Sequence, residues 1–167
     1  SKKYNTKATV GNLNNHIGVP LTLLSFDNET ELGIVEMGAN HKKEIEFLCQ
    51  LAKPDYGYIT NFGKAHLEGF GGVKGVIEGK SEMYNYLSEN IKLAFINLDD
   101  PIQVEKSKKM KSYSFGVNKE EADVNINSVT ANPFVEISFS NLSVKTHLIG
   151  LYNANNINAA LTIGKYF

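Results

Sequence analysis

Glu36, His66 and Lys80 are the residues of this chain whose types and surroundings could do chemistry. Glu36 lies near the end of an apolar run, "ELGIVEMG" (31–38), and the glycine just beyond it leaves the backbone open to a ligand. His66 and Glu68 lie in the loop after a second such run, "DYGYITN" (55–61), which closes on Thr60 and Asn61. In open parallel sheets, ligands gather beyond the carboxyl ends of the strands. A carboxylate and an imidazole at two consecutive strand ends therefore make a metal-site pattern, against the blander alternative of a solvated carboxylate and a loop histidine. Oxygen ligands with few other protein groups suit Mg²⁺, which keeps several waters and is commonly shared with phosphates. The cysteine-rich and three-histidine spacings of zinc sites do not occur in the sequence.

Lys80 is odd for its position. It stands one helical turn from Val76, Ile77, Met83 and Tyr84, on the stripe that should face a core. A long stem can run along apolar surface and free its ammonium, which is the plain explanation. The stretch "GVIEGKS" (75–81) imitates a phosphate-binding loop, but that motif needs G-x-x-x-x-G-K-[ST] after a strand, and here the first glycine is one residue too close. The remaining option is an amine whose pKa falls on burial, so that its neutral form reacts. Such an amine can add CO₂ to give a carbamate, in effect a longer carboxylate able to bind Mg²⁺.

The elements that must hold these groups follow from periodicity. The two apolar runs are short, β-branched and aromatic, as buried strands are. Between them "HKKEIEFLCQLAK" spaces Ile45, Leu48, Cys49 and Ala52 as a helix that Pro54 stops. A strand–helix–strand unit of this kind predicts a parallel sheet. A helix over 73–89, the strand "KLAFINLDD", a short helix in "PIQVEKSKKM" and a strand in "KSYSFG" extend the pattern. From about 121 the texture alternates, in "ADVNINSVT", "PFVEISFS" and "LSVKTHLIG", as half-exposed antiparallel strands do. The segment "NANNINAALTIGKYF" is helical by the spacing of Ile157, Ala160, Leu161 and Ile163 or Gly164. The expected fold class is α/β: a mostly parallel sheet flanked by helices, with a small antiparallel appendage. One domain is expected over 1–167, with a parallel part to about 120, an antiparallel part over 121–149 and a returning helix over 153–166.

Composition narrows the function classes. With 42% hydrophobic residues and a net charge of −1, the chain has no electrostatic footprint for nucleic acid or an anionic membrane. It has no arginine, so an anion must be gripped by lysine, backbone N–H groups or a metal. One cysteine, Cys49, excludes an internal disulfide and reads as a small core residue. No run approaches the roughly 18–20 apolar residues of a membrane span, and the opening "SKKYNTKATV" lacks the apolar core of a signal peptide. A cytoplasmic location is expected.

Four ordered stretches then resemble one family, the Mur ligases: "TVGNLNNHIGVPLTLL" (9–24), "IVEMGANHKKEIEFL" (34–48), "ITNFGKAHLEGFGG" (59–72) with "GKSEMY" (79–84), and "GLYNANNINAA" (150–160). The resemblance covers nearly the whole chain and is weakest over about 100–148. Within the family it is nearest to the branch that adds D-alanyl-D-alanine to a UDP-N-acetylmuramoyl-tripeptide. It implies the central ATPase domain of a three-domain enzyme with ATP and Mg²⁺ as cofactors: a peptide carboxylate is phosphorylated, and an amine then displaces phosphate from the acyl phosphate. Position by position, it implies that Glu36 and His66 bind the metal and that Lys80 is the lysine carbamylated in the family. It further implies that Asn153 and Asn156 lie near the adenine, Asn61 beside the nucleotide, and Asn14 and Asn15 at the sugar-peptide site. His16 stands where the family usually has an acidic residue and receives no role.

The departures are large. The family's upstream phosphate loop, with its strand, is missing from the sequence, as are the family's N- and C-terminal domains. The expectation is a ligase fragment, inactive alone. Alternatives are another Mur-type amino-acid ligase or folylpolyglutamate synthase within the superfamily and, outside it, a non-catalytic binding module without the phosphate loop.

Overall fold

A computed structural model describes residues 3–63 and 66–167; Lys64 and Ala65 of the third motif lie outside the described residues. In chain order the elements are β1 (Thr6–Ala8), α1 (Gly18–Leu24), β2 (Leu32–Ile34), α2 (Glu44–Ala52), β3 (Tyr56–Tyr58), α3 (Leu67–Phe70), α4 (Val73–Glu89), β4 (Leu93–Asn97), α5 (Pro101–Lys106), β5 (Lys111–Val117), β6 (Val124–Ala131), β7 (Phe134–Phe139), β8 (Leu142–Ile149) and α6 (Ala154–Tyr166). The chain divides into two compact units, residues 1–55 with 62–86 and residues 56–61 with 87–167.

In the first unit β1 and β2 pair in parallel, Thr6 opposite Leu32 and Ala8 opposite Ile34. The strands are short, and side chains reinforce them. The Lys7 ammonium reaches the Ser25 carbonyl at 2.7 Å and the Asp27 carboxylate at 2.6 Å. The bond from Lys7 to Asp27, with one from Thr30, holds the Asp27 carboxyl down to about 2. Helices α1 and α2 meet over Val19, Ile45, Leu48 and Cys49, with Met37, Val35 and Met83 packed against them. Cys49 is fully buried and its Sγ lies 3.8 Å from the Met37 Sδ. Burial, with the nearby charge of Glu82, pushes its thiol up to about 12, which makes it an inert core residue.

The second unit carries one six-stranded sheet in the order β3-β4-β5-β6-β7-β8. Strands β3 to β6 are parallel, and β6, β7 and β8 are antiparallel. Every residue of the interior strand β4 is buried, which is why "LAFI" is an unbroken apolar run and not an alternating one. Helix α6 packs across β4 to β7. At its end Tyr166 gathers Tyr56, Phe95 and Tyr113, with ring centroids 5.1 to 5.5 Å away.

The α/β class and the change of strand direction near 121 agree with the sequence expectation, with differences of detail. The antiparallel strands continue the parallel sheet, because β6 pairs with β5 on one side and β7 on the other. The strands flanking α2 do not pair with each other: β2 pairs with β1, and β3 with β4. Strand β1 and helix α1 lie where no regular element was anticipated. Helix α6 buries Ala154, Asn158, Ala159 and Thr162, while Ala160 and Gly164 are exposed. The expected Ile157 and Leu161 are half-buried and pack against the core beside Ala154 and Ala159.

Gln103 ties the strand ends of this sheet from α5. Its side-chain oxygen accepts from the Asn97 N–H at 3.0 Å, and its amide donates to the Ile59 carbonyl at 3.0 Å. The residue is fully buried. Removing it strands a buried donor and a buried acceptor, each costing about 1–3 kcal/mol. Gln103→Ala is therefore expected to lose about 2–6 kcal/mol in urea unfolding. A loss below about 0.5 kcal/mol, the range of an inconsequential surface change, would refute the staple.

Candidate functional site

Strand β2 ends at Ile34, two residues before Glu36, so Glu36 stands in the loop after the strand. Its backbone N–H donates to the Thr9 hydroxyl at 2.9 Å. Its carboxylate Oε1 accepts from the Asn14 side-chain amide at 2.8 Å, and the Asn14 carbonyl accepts from the Gly38 N–H at 2.7 Å. Asn14 thus grips the corner on both sides of Met37. An exposed carboxylate oriented by a neighbouring amide is the arrangement that ligating carboxylates adopt, and it fits a hard cation.

His66 is exposed and sits at φ 57, immediately before α3. Non-glycine residues in this left-handed region are uncommon, and such strain concentrates where function needs it. The imidazole is therefore presented from a turn and not from the helix.

Lys80 lies on α4 between the fully buried Val76 and the nearly buried Tyr84, as the spacing predicted. It is half-buried, and the loss of solvent lowers its pKa from the ordinary lysine value. Desolvation is the cause, and it makes the neutral amine more available than at an exposed lysine.

All three groups belong to the first unit, and the short helix α3 ties their carriers together. Gly69 is pressed against the Asn40 carbonyl in the loop that follows Glu36, where a Cβ would collide with backbone. Phe70 lays its ring against Gly79, the neighbour of Lys80, where again no side chain fits. Lys42 pairs with Glu78 of α4. Glu44 closes the same loop on itself, accepting from the Asn40 N–H at 2.7 Å and the His41 N–H at 3.1 Å. Among the described residues no group of three or more His, Cys, Asp and Glu side chains is gathered for a metal. A cation here would depend on the few protein oxygens, water and phosphate that Mg²⁺ accepts.

The other predicted residues divide between the units. Asn15 caps the start of α1, its side-chain oxygen accepting from the Ile17 and Gly18 N–H groups at 3.0 and 2.9 Å. Asn61, Asn153 and Asn156 belong to the second unit. Asn153 stands at the start of α6, where its amide donates to the Ile149 carbonyl at 2.9 Å. Asn156 is exposed one turn further on. Sequence reasoning missed Thr9, whose hydroxyl receives the Glu36 N–H from 27 residues away. No local pattern marks a partner at that separation.

The family model described as Mur ligase middle domain matches residues 1–164. The UDP-N-acetylmuramoyl-tripeptide–D-alanyl-D-alanine ligase of Bacillus subtilis is 33% identical over 165 residues, which cover 99% of this chain and 36% of that enzyme. A crystal structure of MurF from Acinetobacter baumannii superposes with a TM-score of 0.84 at 30% identity, over 98% of this chain and 37% of the other. MurF ligase from Thermotoga maritima, solved in complex with ADP, gives 0.82 at 28% identity, over 99% of this chain and 40% of the other. The chain spans about a third of the length of these relatives.

Proposed function

The chain belongs to the Mur ligases through their middle domain, and on that premise we propose that its protein is an ATP-dependent amide ligase joining D-alanyl-D-alanine to a UDP-N-acetylmuramoyl-tripeptide. The observation that carries this reading is a half-buried lysine on an apolar helical stripe, tied through α3 to the corner that presents an oriented glutamate. In this reading residues 1–167 work as one central ATP-binding domain of a cytoplasmic enzyme of peptidoglycan precursor synthesis.

The reaction has two steps. The peptide carboxylate attacks the γ-phosphorus of ATP, giving an acyl phosphate and ADP. The amine of D-alanyl-D-alanine then attacks the acyl carbon, forming the amide and expelling phosphate. Mg²⁺, when bound, neutralises charge on the phosphate oxygens, the main need of such transfers. Glu36, oriented by Asn14, and His66 would hold it. The neutral Lys80 amine would add CO₂ and lose a proton, and the resulting carbamate would offer a further oxygen ligand. Asn153, Asn156 and Asn61 are assigned to the nucleotide, and Asn14 and Asn15 to the sugar-peptide side.

The test is an acceptor comparison with the intact protein, ATP, Mg²⁺ and UDP-N-acetylmuramoyl-tripeptide, reading phosphate release and product mass. Turnover is expected with D-alanyl-D-alanine and not with single amino acids. Turnover with a single amino acid, with folate and glutamate, or with none of them would refute the assignment. Among the described residues no helix is long and apolar enough to cross a membrane.

A further inference from the structure

Helix α2 starts without a cap of its own. Lys43, the residue before it, is left-handed at φ 72 and makes no side-chain cap bond, where helices usually recruit Ser, Thr, Asp or Asn. The cap comes instead from α4. The Lys43 N–H donates to Glu82 Oε1 at 2.6 Å, across 39 residues of sequence, and the Glu46 N–H donates to Glu82 Oε2 at 3.0 Å. Both oxygens of one carboxylate are thus spent on the first turn of α2, where a negative charge is also favoured by the helix dipole.

Glu82 stands two residues from Lys80. Two residues turn an α-helix by about 200°, so the two side chains leave α4 on opposite sides. Helix α4 is then a rigid carrier, clamped through Glu82 to the segment that follows Glu36 and bearing Lys80 two residues from the clamp. Glu78, one turn earlier on the clamped face, grips Lys42 of the same segment. Glu44 folds residues 40–46 into one closed piece, so a clamp on Lys43 and Glu46 holds the whole corner.

We propose that Glu82 is a positioning residue: by capping α2 from α4 it sets the corner bearing Glu36 at a fixed distance from Lys80. This rests on the ligase reading above. Glu82 touches no reacting atom in that reading and acts through the geometry of the others.

The test compares Glu82→Ala and Glu82→Gln in the intact protein, with three readouts: backbone amide exchange, Mn²⁺ binding with ATP by electron paramagnetic resonance, and steady-state rates against Mg²⁺. In Glu82→Ala the amides of Lys43 and Glu46 are expected to lose protection. Mn²⁺ binding should weaken by about tenfold, as for lost support of a metal ligand. The rate at saturating substrates should fall by about ten- to a hundredfold, as misplacement near 1 Å can cause. Glu82→Gln keeps one accepting oxygen and sets an NH₂ against the other amide, so it should recover only part of both. A purely structural residue would lower the melting temperature and leave the Mn²⁺ affinity and Mg²⁺ dependence unchanged, and that result overturns the proposal. So does unchanged exchange at Lys43 and Glu46. If the wild-type protein ligates nothing, the ligase reading fails by itself, and the exchange and Mn²⁺ measurements still decide the clamp.

Discussion

Lys80→Ala is expected to reduce turnover of the intact protein by at least about a hundredfold, the cost of deleting one preorganised electrostatic group from an active site. The fold should survive, because the lysine is half-buried and its neighbours Val76 and Tyr84 keep their own burial. Losing the stem uncovers apolar surface and should cost on the order of 1 kcal/mol. If the lysine acts as a carbamate, a short carboxylic acid such as formate or acetate should diffuse into the vacated space and restore part of the rate. Rescue by acid, with none from a short alkyl amine, separates a carboxylate role from a cationic one. Wild-type turnover in the alanine variant would remove Lys80 from the mechanism. The lowered pKa fits the same chemistry, since only the unprotonated amine adds CO₂. That argument concerns reactivity and stands apart from stability.

Glu36→Ala is expected to raise the Mg²⁺ concentration needed for half-maximal rate by more than about tenfold. Loss of an outer partner of a metal ligand already costs ten- to a hundredfold in affinity, and loss of the ligand itself should cost no less. Glu36→Gln is the sharper variant. It keeps an oxygen able to accept from the Asn14 amide, so the corner at Gly38 stays closed, yet it removes the charge that a hard cation seeks. If the glutamine variant behaves as alanine does, charge is what matters at this position. An unchanged metal dependence in both would exclude Glu36 as a ligand.

These two residues were legible before any coordinates, and the reason is local. Lys80 stands out because a helix exposes every fourth residue to the same environment, and its neighbours at that spacing are Val76 and Tyr84. The helix itself was bounded correctly at 73–89 by the same periodicity. Glu36 stands out because an apolar run ends in a charged group and a glycine. Elsewhere the local rule failed. Helix α1, "GVPLTLL", is apolar on every side, and its periodicity does not say which face is covered: Val19 and Thr22 are buried while Leu21 and Leu24 are exposed. On α6 the rule chose Ala160, but the sheet takes Asn158 and Thr162.

The sequence by itself determined the α/β class, the switch to antiparallel strands near 121 and the helix that carries Lys80. Those follow from residue chemistry and from interactions within one or two turns of chain, which spacing records. Only the tertiary structure decided that Asn14 orients Glu36, that Gln103 joins the ends of β3 and β4, and that Glu82 caps a helix it does not belong to. Such partners satisfy donors and acceptors of the packed chain, and residues 22 to 44 positions apart lie beyond the reach of any local pattern.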